Sequence, residues 1–335
     1  MTRVGIIGGS GFGGAELLRL CAGHPDFEVT FATGDSQAGT PVGELYPSLA
    51  AVYGGLVYVA FEPALVDEVD LVFLALPHGA SQSIVAQIHG RVRWIVDLGS
   101  DFRFGDADVY PAWYDDVHSC PELLDSFAYG LPELFRDEIA AATSVAVPGC
   151  YPTAAGLALA PLTRSAIVED TGIVVDAVSG VSGAGRDKIS FCAADEDVSA
   201  YGLLTHRHTP EIQKVIGAEV LFTPHLVPMS RGMLATCYAR PTGATSTAEL
   251  VEVFDAFYAD EPFVTRVEGS PHTKSVQGSN SAHVSVMADE RTGLIMSLCA
   301  IDNLGKGAAG QAVQCANLLV GHPETTGVPI LGVYP

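Results

Sequence analysis

Three stretches of this chain carry residue types at spacings that chemistry can use. The first is Pro148-Gly149-Cys150-Tyr151-Pro152-Thr153-Ala154. Pro148 and Gly149 favour a tight bend before the thiol. Pro152 suits the first turn of a helix, where no amide donor is needed. The Ala- and Leu-rich run from Thr153 to Leu162 reads as that helix. Cys150 is therefore expected at a helix N-terminus, the positive end of the backbone dipoles, where a thiolate nucleophile is favoured. The competing reading of any single cysteine is a small buried thiol.

The second stretch is His206-Arg207-His208-Thr209-Pro210-Glu211. Thr209 is expected to cap a helix that has Pro210 in its first turn. Glu211, three residues past His208, is expected to orient that imidazole for proton exchange with a thiol and an oxyanion. Two histidines and a carboxylate also raise a metal site, but H-x-H without a third converging ligand does not make a catalytic zinc centre. No metal is expected. The third stretch is Gly8-Gly9-Ser10-Gly11-Phe12-Gly13-Gly14, a G-x-x-G-x-x-G run between an apolar strand, Arg3 to Ile7, and a helix-forming segment that begins at Ala15. In that context the glycines let backbone amides approach a dinucleotide pyrophosphate.

The elements that position these stretches follow from apolar patterning. Strands are expected at Phe27 to Ala32, Val57 to Ala60, Leu71 to Leu76, Trp94 to Asp97 and Ser144 to Val147, with a helix from Ser81 to Ile88. Strands alternating with helices predict an α/β, Rossmann-type doubly wound parallel sheet. Ligands gather at the carboxyl ends of such strands. Pro77-His78-Gly79 and Asp97 to Arg103 lie there. Arg103 reads equally as a ligand contact or a surface ion pair with Asp101 or Asp106. After the second strand, acidic Asp35 favours the free ribose hydroxyl of NAD, while Ser36 offers a donor to a 2′-phosphate. Residues 104 to 135 read as a loop-rich excursion with scattered aromatics, packing near the site.

The second half predicts an α+β domain with an antiparallel or mixed sheet. Its strands are Ile173 to Val178, Leu221 to Pro224, Met233 to Ala239, Ala282 to Met287 and Gly293 to Ala300, with an amphipathic helix from Glu249 to Tyr258. Ser179 to Arg186, small residues closing on an arginine, are expected to form an amide-lined anion site. A final helix runs to about Leu319.

Composition narrows the partners. The net charge is −22, with apolar residues at 48% and charged residues at 17%. Nucleic acid, anionic membrane and acidic proteins would be repelled. The seven cysteines form no C-x-x-C pair, which fits a reducing cytoplasm rather than a disulfide framework. No signal peptide or membrane-length apolar run is expected.

Together these stretches resemble the N-acetyl-gamma-glutamyl-phosphate reductase family. Leu76 to Gly79, Asp101 to Arg103, Tyr129-Gly130-Leu131-Pro132, Pro224 to Gly232 and Asp302 to Gln314 carry the likeness as well. The resemblance covers the whole chain, and it implies a division into 1–147 with 305–335 for the dinucleotide and 148–304 for substrate and oligomerisation. It implies NADPH-dependent reduction of an acyl phosphate to an aldehyde through a Cys150 thioester in arginine biosynthesis, by a cytoplasmic homo-dimer or homo-tetramer. It implies His208 as acid/base with Glu211, and substrate contacts from Arg103, Ser179, Gly180, Arg186, Tyr201 and His206. Cofactor contacts are expected from Gly8, Ser10, Gly11, Phe12, Gly13, Ser36, Pro77, Ser182, Gly183 and Asn303. Gly34-Asp35 stands where the family often has Ser-Arg, so NAD stays open beside NADP. The alternatives are a reductase of carrier-bound acyl phosphates in lysine or ornithine synthesis, an aspartate-semialdehyde dehydrogenase, and a nucleotide-sensing regulator without catalysis.

Overall fold

The computed structural model describes residues 1–186 and 190–334. The chain divides into two compact units: Met1–Pro148 with Ala308–Val328, and Gly149–Gly307 with the stretch after Val328. The tail departs from the division expected. Asn280 N–H donates to Pro329 O at 2.8 Å and Val333 N–H to Gln277 O at 2.8 Å, and this backbone pairing ties the tail to the second unit.

In the first unit six strands form one sheet. They are β1 (Thr2–Ile7), β2 (Phe27–Ala32), β3 (Leu71–Leu74), β4 (Trp94–Asp97), β5 (Phe127–Tyr129) and β6 (Ser144–Ala146), in the order β2-β1-β3-β4-β6-β5. Every neighbouring pair is parallel. All four residues of β3 are buried, so the strand reads as an unbroken apolar run rather than an alternating one. Strand order switches direction between β1 and β3, the place where such sheets bind ligands. The expected strand from Val57 to Ala60 is not one. Its N–H and C=O groups alternate between two partners, Ala32 and Gly34 on one side and Gly39 and Thr40 on the other, which leaves only isolated bridges. β5 lies inside the segment expected to be loop-rich, and three residues are too few to show a period.

In the second unit seven strands form a mixed sheet. They are β7 (Ile173–Gly180), β8 (Ser199–Ala200), β9 (Val220–Val227), β10 (Met233–Ala239), β11 (Val264–Arg266), β12 (Ala282–Asp289) and β13 (Leu294–Ile301), ordered β11-β12-β13-β10-β7-β9-β8. β7 with β9 and β11 with β12 are parallel, and the other pairs antiparallel. Along β10, Met233, Ala235, Cys237 and Ala239 alternate inward. The Cys150–Arg164 helix packs on β10, β12 and β13, and every residue from Tyr151 to Leu162 is buried. A helix hidden all round can be as apolar as this one.

That helix contains Pro161, which has no N–H to give to the carbonyl four residues back, Leu157. The buried Tyr258 hydroxyl donates to Leu157 O at 2.5 Å instead. Tyr258→Phe strands that carbonyl and is expected to cost about 1–3 kcal/mol. The measurement is a lower urea midpoint at an unchanged m-value. Among the described residues no helix is long and apolar enough to cross a membrane.

Candidate active site

Cys150 is the first residue of its helix, with Gly149 as an extended N-cap. The helix thus starts three residues earlier than the Ala/Leu run suggests. Three contacts shape the bend. The fully buried Glu211 accepts Gly149 N–H through Oε1 at 3.0 Å. Thr153 returns both its N–H and its hydroxyl to Gly149 O, each at 3.0 Å. Pro152 has no N–H, so Cys150 and Tyr151 hold the first-turn amides that the helix itself does not use. On the other flank, a Cβ on Gly307 would lie 2.7 Å from Cys150 Cβ. Only a glycine lets that backbone pass so close. Gly307 belongs to a π-turn, Gly305–Ala309, a form of helix that often marks function. Asp302, fully buried, sets up the turn: Oδ1 accepts the Leu304 and Gly305 N–H groups at 2.9 and 3.1 Å. Its other oxygen lies 3.0 Å from Arg231 Nε.

A cavity of about 350 Å³ opens beside the thiol. Among the described residues it brings together the expected Cys150, Ser179, Gly180, Tyr201, His206 and His208, and also Gly183, which was expected at the cofactor. Tyr151 and Arg207 line it too, and neither is singled out by the sequence. Arg186 follows the Val181–Ala184 turn and is not among the described lining residues.

The histidine stretch differs from expectation at its cap, and the fold adds two features to it. His208, not Thr209, is the N-cap, because Ile212 N–H already bonds to His208 O at 2.9 Å and draws Thr209 into the helix. Glu211 then faces inward, and one of its oxygens serves the thiol's bend at Gly149. His206 is held neutral. Burial, with the Arg207 charge, pushes it down to about 4. Its Nδ1 is 3.1 Å from His208 N–H and accepts from it, which leaves the ring proton on Nε2. The His206 and His208 ring centroids are 4.9 Å apart, and Tyr151 meets both rings edge-on.

The expected amide-lined site at Ser179 to Arg186 is largely closed. Gly180, Val181 and Ser182 N–H groups donate to Gly232 O, Met229 O and Ser230 O at 2.9, 2.9 and 3.2 Å. Gly183 and Ala184 form the part of the turn that borders the cavity. Asn303 holds the same loops together, donating to Ser182 Oγ at 2.9 Å and accepting Gly232 N–H at 2.8 Å.

In the first unit the glycine loop is shaped by positions that admit no side chain. Gly8 has φ +87°, and a Cβ there would strike Ala75 O at 2.4 Å. A Cβ on Gly14 would strike Gly8 O at 2.4 Å. Gly13 has nothing within 4 Å and Gly11 only Gly8 O at 3.8 Å, so the space at the start of the Phe12–Gly23 helix is open. Tyr46 and Tyr58 hydroxyls hold the loop by bonds to Ser10 O (2.8 Å) and Gly9 O (3.2 Å). Ser36 is exposed in a short turn with Asp35. Pro77 is exposed just past β3, where Asp101 accepts Gly79 N–H at 2.8 Å and approaches His78 Nδ1 to 2.7 Å. Arg103 is buried, not on the surface, and donates to Leu98 O at 3.0 Å.

Residues 3–142 match the family model described as semialdehyde dehydrogenase, NAD binding domain, and residues 150–303 the one described as semialdehyde dehydrogenase, dimerisation domain. The N-acetyl-gamma-glutamyl-phosphate reductase of Citrifermentans bemidjiense is 44% identical over 348 residues, and that of Desulforudis audaxviator 46% identical over 347 residues. In both cases the match covers 100% of each chain. Aspartate semialdehyde dehydrogenase II from Vibrio cholerae shares the fold at a TM-score of 0.71 and 18% identity, over 96% of this chain and 99% of that one. The Francisella tularensis aspartate semialdehyde dehydrogenase does so at 0.65 and 15%, over 95% and 99%.

Proposed function

This chain belongs to the N-acetyl-gamma-glutamyl-phosphate reductases, and we propose that it reduces N-acetyl-gamma-glutamyl phosphate to N-acetyl-glutamate semialdehyde, releasing phosphate, as a step of arginine synthesis. The observation that carries the chemistry is Cys150 at the head of a buried helix, opening on a cavity with His208 and His206.

Cys150 Sγ attacks the acyl carbon as thiolate. The C–S bond forms, the acyl–oxygen bond breaks, and phosphate leaves with the electron pair. The Cys150 and Tyr151 amides are the donors for charge that develops on the carbonyl oxygen. A nicotinamide dinucleotide held by the glycine loop would supply the hydride that reduces the thioester. Collapse of the resulting oxyanion breaks the C–S bond, returns the thiolate and frees the aldehyde. His208 carries the thiol proton. Arg207 and the His206 Nε2–H are proposed for the phosphate, with Arg186 for the substrate's second anionic group.

The first unit fits a nicotinamide dinucleotide, held at Gly8 to Gly13. Its finer reading is NADPH, with Ser36 as a donor to the 2′-phosphate. Asp35 beside it carries the opposite preference, so both forms enter the test. The match of residues 150–303 to a dimerisation domain supports a homo-oligomer. The test runs the reaction backwards from N-acetyl-glutamate semialdehyde. The expected result is phosphate-dependent reduction of NADP, with NAD slower. No turnover with either dinucleotide would overturn the reading.

A further inference from the structure

Two tyrosines in the thiol's cavity form a hydrogen-bond relay whose direction is set by chemistry alone. Tyr151, 3% exposed, lies with its hydroxyl 3.3 Å from His225 O. A carbonyl oxygen can only accept, so the single Tyr151 hydroxyl proton goes there. Tyr201 Oη is 3.1 Å from Tyr151 Oη. With Tyr151's proton spent, the contact runs from Tyr201 as donor to Tyr151 as acceptor. Tyr201 is 37% exposed, lines the cavity and rests edge-on against His206, with ring centroids 5.4 Å apart. Its hydroxyl therefore offers the cavity lone pairs and no hydrogen.

The other cavity groups are of the opposite kind. Arg207 is a cation, and neutral His206 presents its Nε2–H. A substrate's anionic oxygens suit those donors, and an N–H suits Tyr201. A protonated free amine would also offer N–H, but its charge would be repelled by Arg207 in a cavity partly shielded from water. We infer that Tyr201 Oη, held as an acceptor by Tyr151, receives the amide N–H of an N-acylated α-amino group and selects such substrates over counterparts that lack it. Tyr201 is then a specificity-determining contact and Tyr151 a positioning residue acting through it. This rests on the acyl-amino-acid reading of the site and assigns the group that reads the acylated nitrogen.

The test compares N-acetyl-glutamate semialdehyde with its 2-acetoxy counterpart, in which the N–H is replaced by an ester oxygen. Wild type is expected to prefer the amide by about tenfold or more in kcat/KM, because the ester oxygen would face Tyr201's lone pairs. Tyr201→Phe is expected to bring that ratio towards one, with the loss in the KM of the amide. Tyr151→Phe frees the Tyr201 proton to turn towards an ester oxygen, so the ratio falls and the ester's own KM improves. A merely structural role would weaken both substrates together. Wild type that turns over the amide without preferring it, or a ratio unchanged in Tyr201→Phe, overturns the inference and leaves the functional reading standing. Absence of any turnover of the amide overturns the functional reading, and this assignment with it.

Discussion

Replacing Cys150 with serine is expected to lower phosphate-dependent turnover by about a thousandfold or more. The substitution is nearly isosteric, and the smaller oxygen adds no clash with the Gly307 backbone that passes the residue. The bend, held by Glu211 and Thr153 on Gly149, does not touch the side chain and should persist. Two chemical differences remain. A hydroxyl is far harder to ionise than a thiol, and a helix start contributes only about 1 kcal/mol towards an anion. An alkoxide is also a poorer leaving group than a thiolate, so collapse to the aldehyde slows as well. The measurement is steady-state reduction of NADP from the semialdehyde, beside dinucleotide binding followed by nicotinamide fluorescence. Binding is expected to be unchanged. Turnover near the wild-type rate would remove Cys150 as nucleophile.

Much of the scaffold is legible because it rests on local signals. The strands Phe27 to Ala32, Trp94 to Asp97 and Met233 to Ala239 are short segments rich in apolar residues, and they appear with the bounds expected. Ser246 and Glu249 form a capping box that starts the Thr247–Phe257 helix, a boundary written as S-x-x-E although only the later residues were read as helix. What escaped depends on contacts between distant segments. Val57 to Ala60 has a strand's composition, but its hydrogen bonds are divided between two neighbours. His206 looks like an ordinary cavity histidine until burial beside Arg207 makes it neutral. Tyr151 reads as a spacer next to the nucleophile, and its relay needs β9's His225 carbonyl on the far side. Glu211 follows His208 by three residues, so sequence proximity suggests the imidazole as its target. The fold also brings Gly149, 62 residues away, to the carboxylate.

That added contact gives Glu211 two roles that experiment can separate. If Glu211 acts by holding the Gly149 N–H, then Glu211→Gln, which keeps an acceptor oxygen of the same reach, is expected to retain kcat within about tenfold. Glu211→Leu leaves a buried N–H with no acceptor, at a cost of about 1–3 kcal/mol in stability, and frees the bend that aims the thiol. Displacing a nucleophile by about an ångström is expected to lower kcat on the order of a hundredfold. The rate of Cys150 alkylation by iodoacetamide should fall with it, because that rate reads the thiol's presentation without substrate or dinucleotide. If Glu211 instead works through its charge on His208, glutamine and leucine would be equally damaging, and both would move the pH–rate profile. A large gap between the two variants, with the Gln profile superimposable on wild type, assigns the carboxylate to the backbone of the nucleophile's turn. Equal losses assign it to the imidazole.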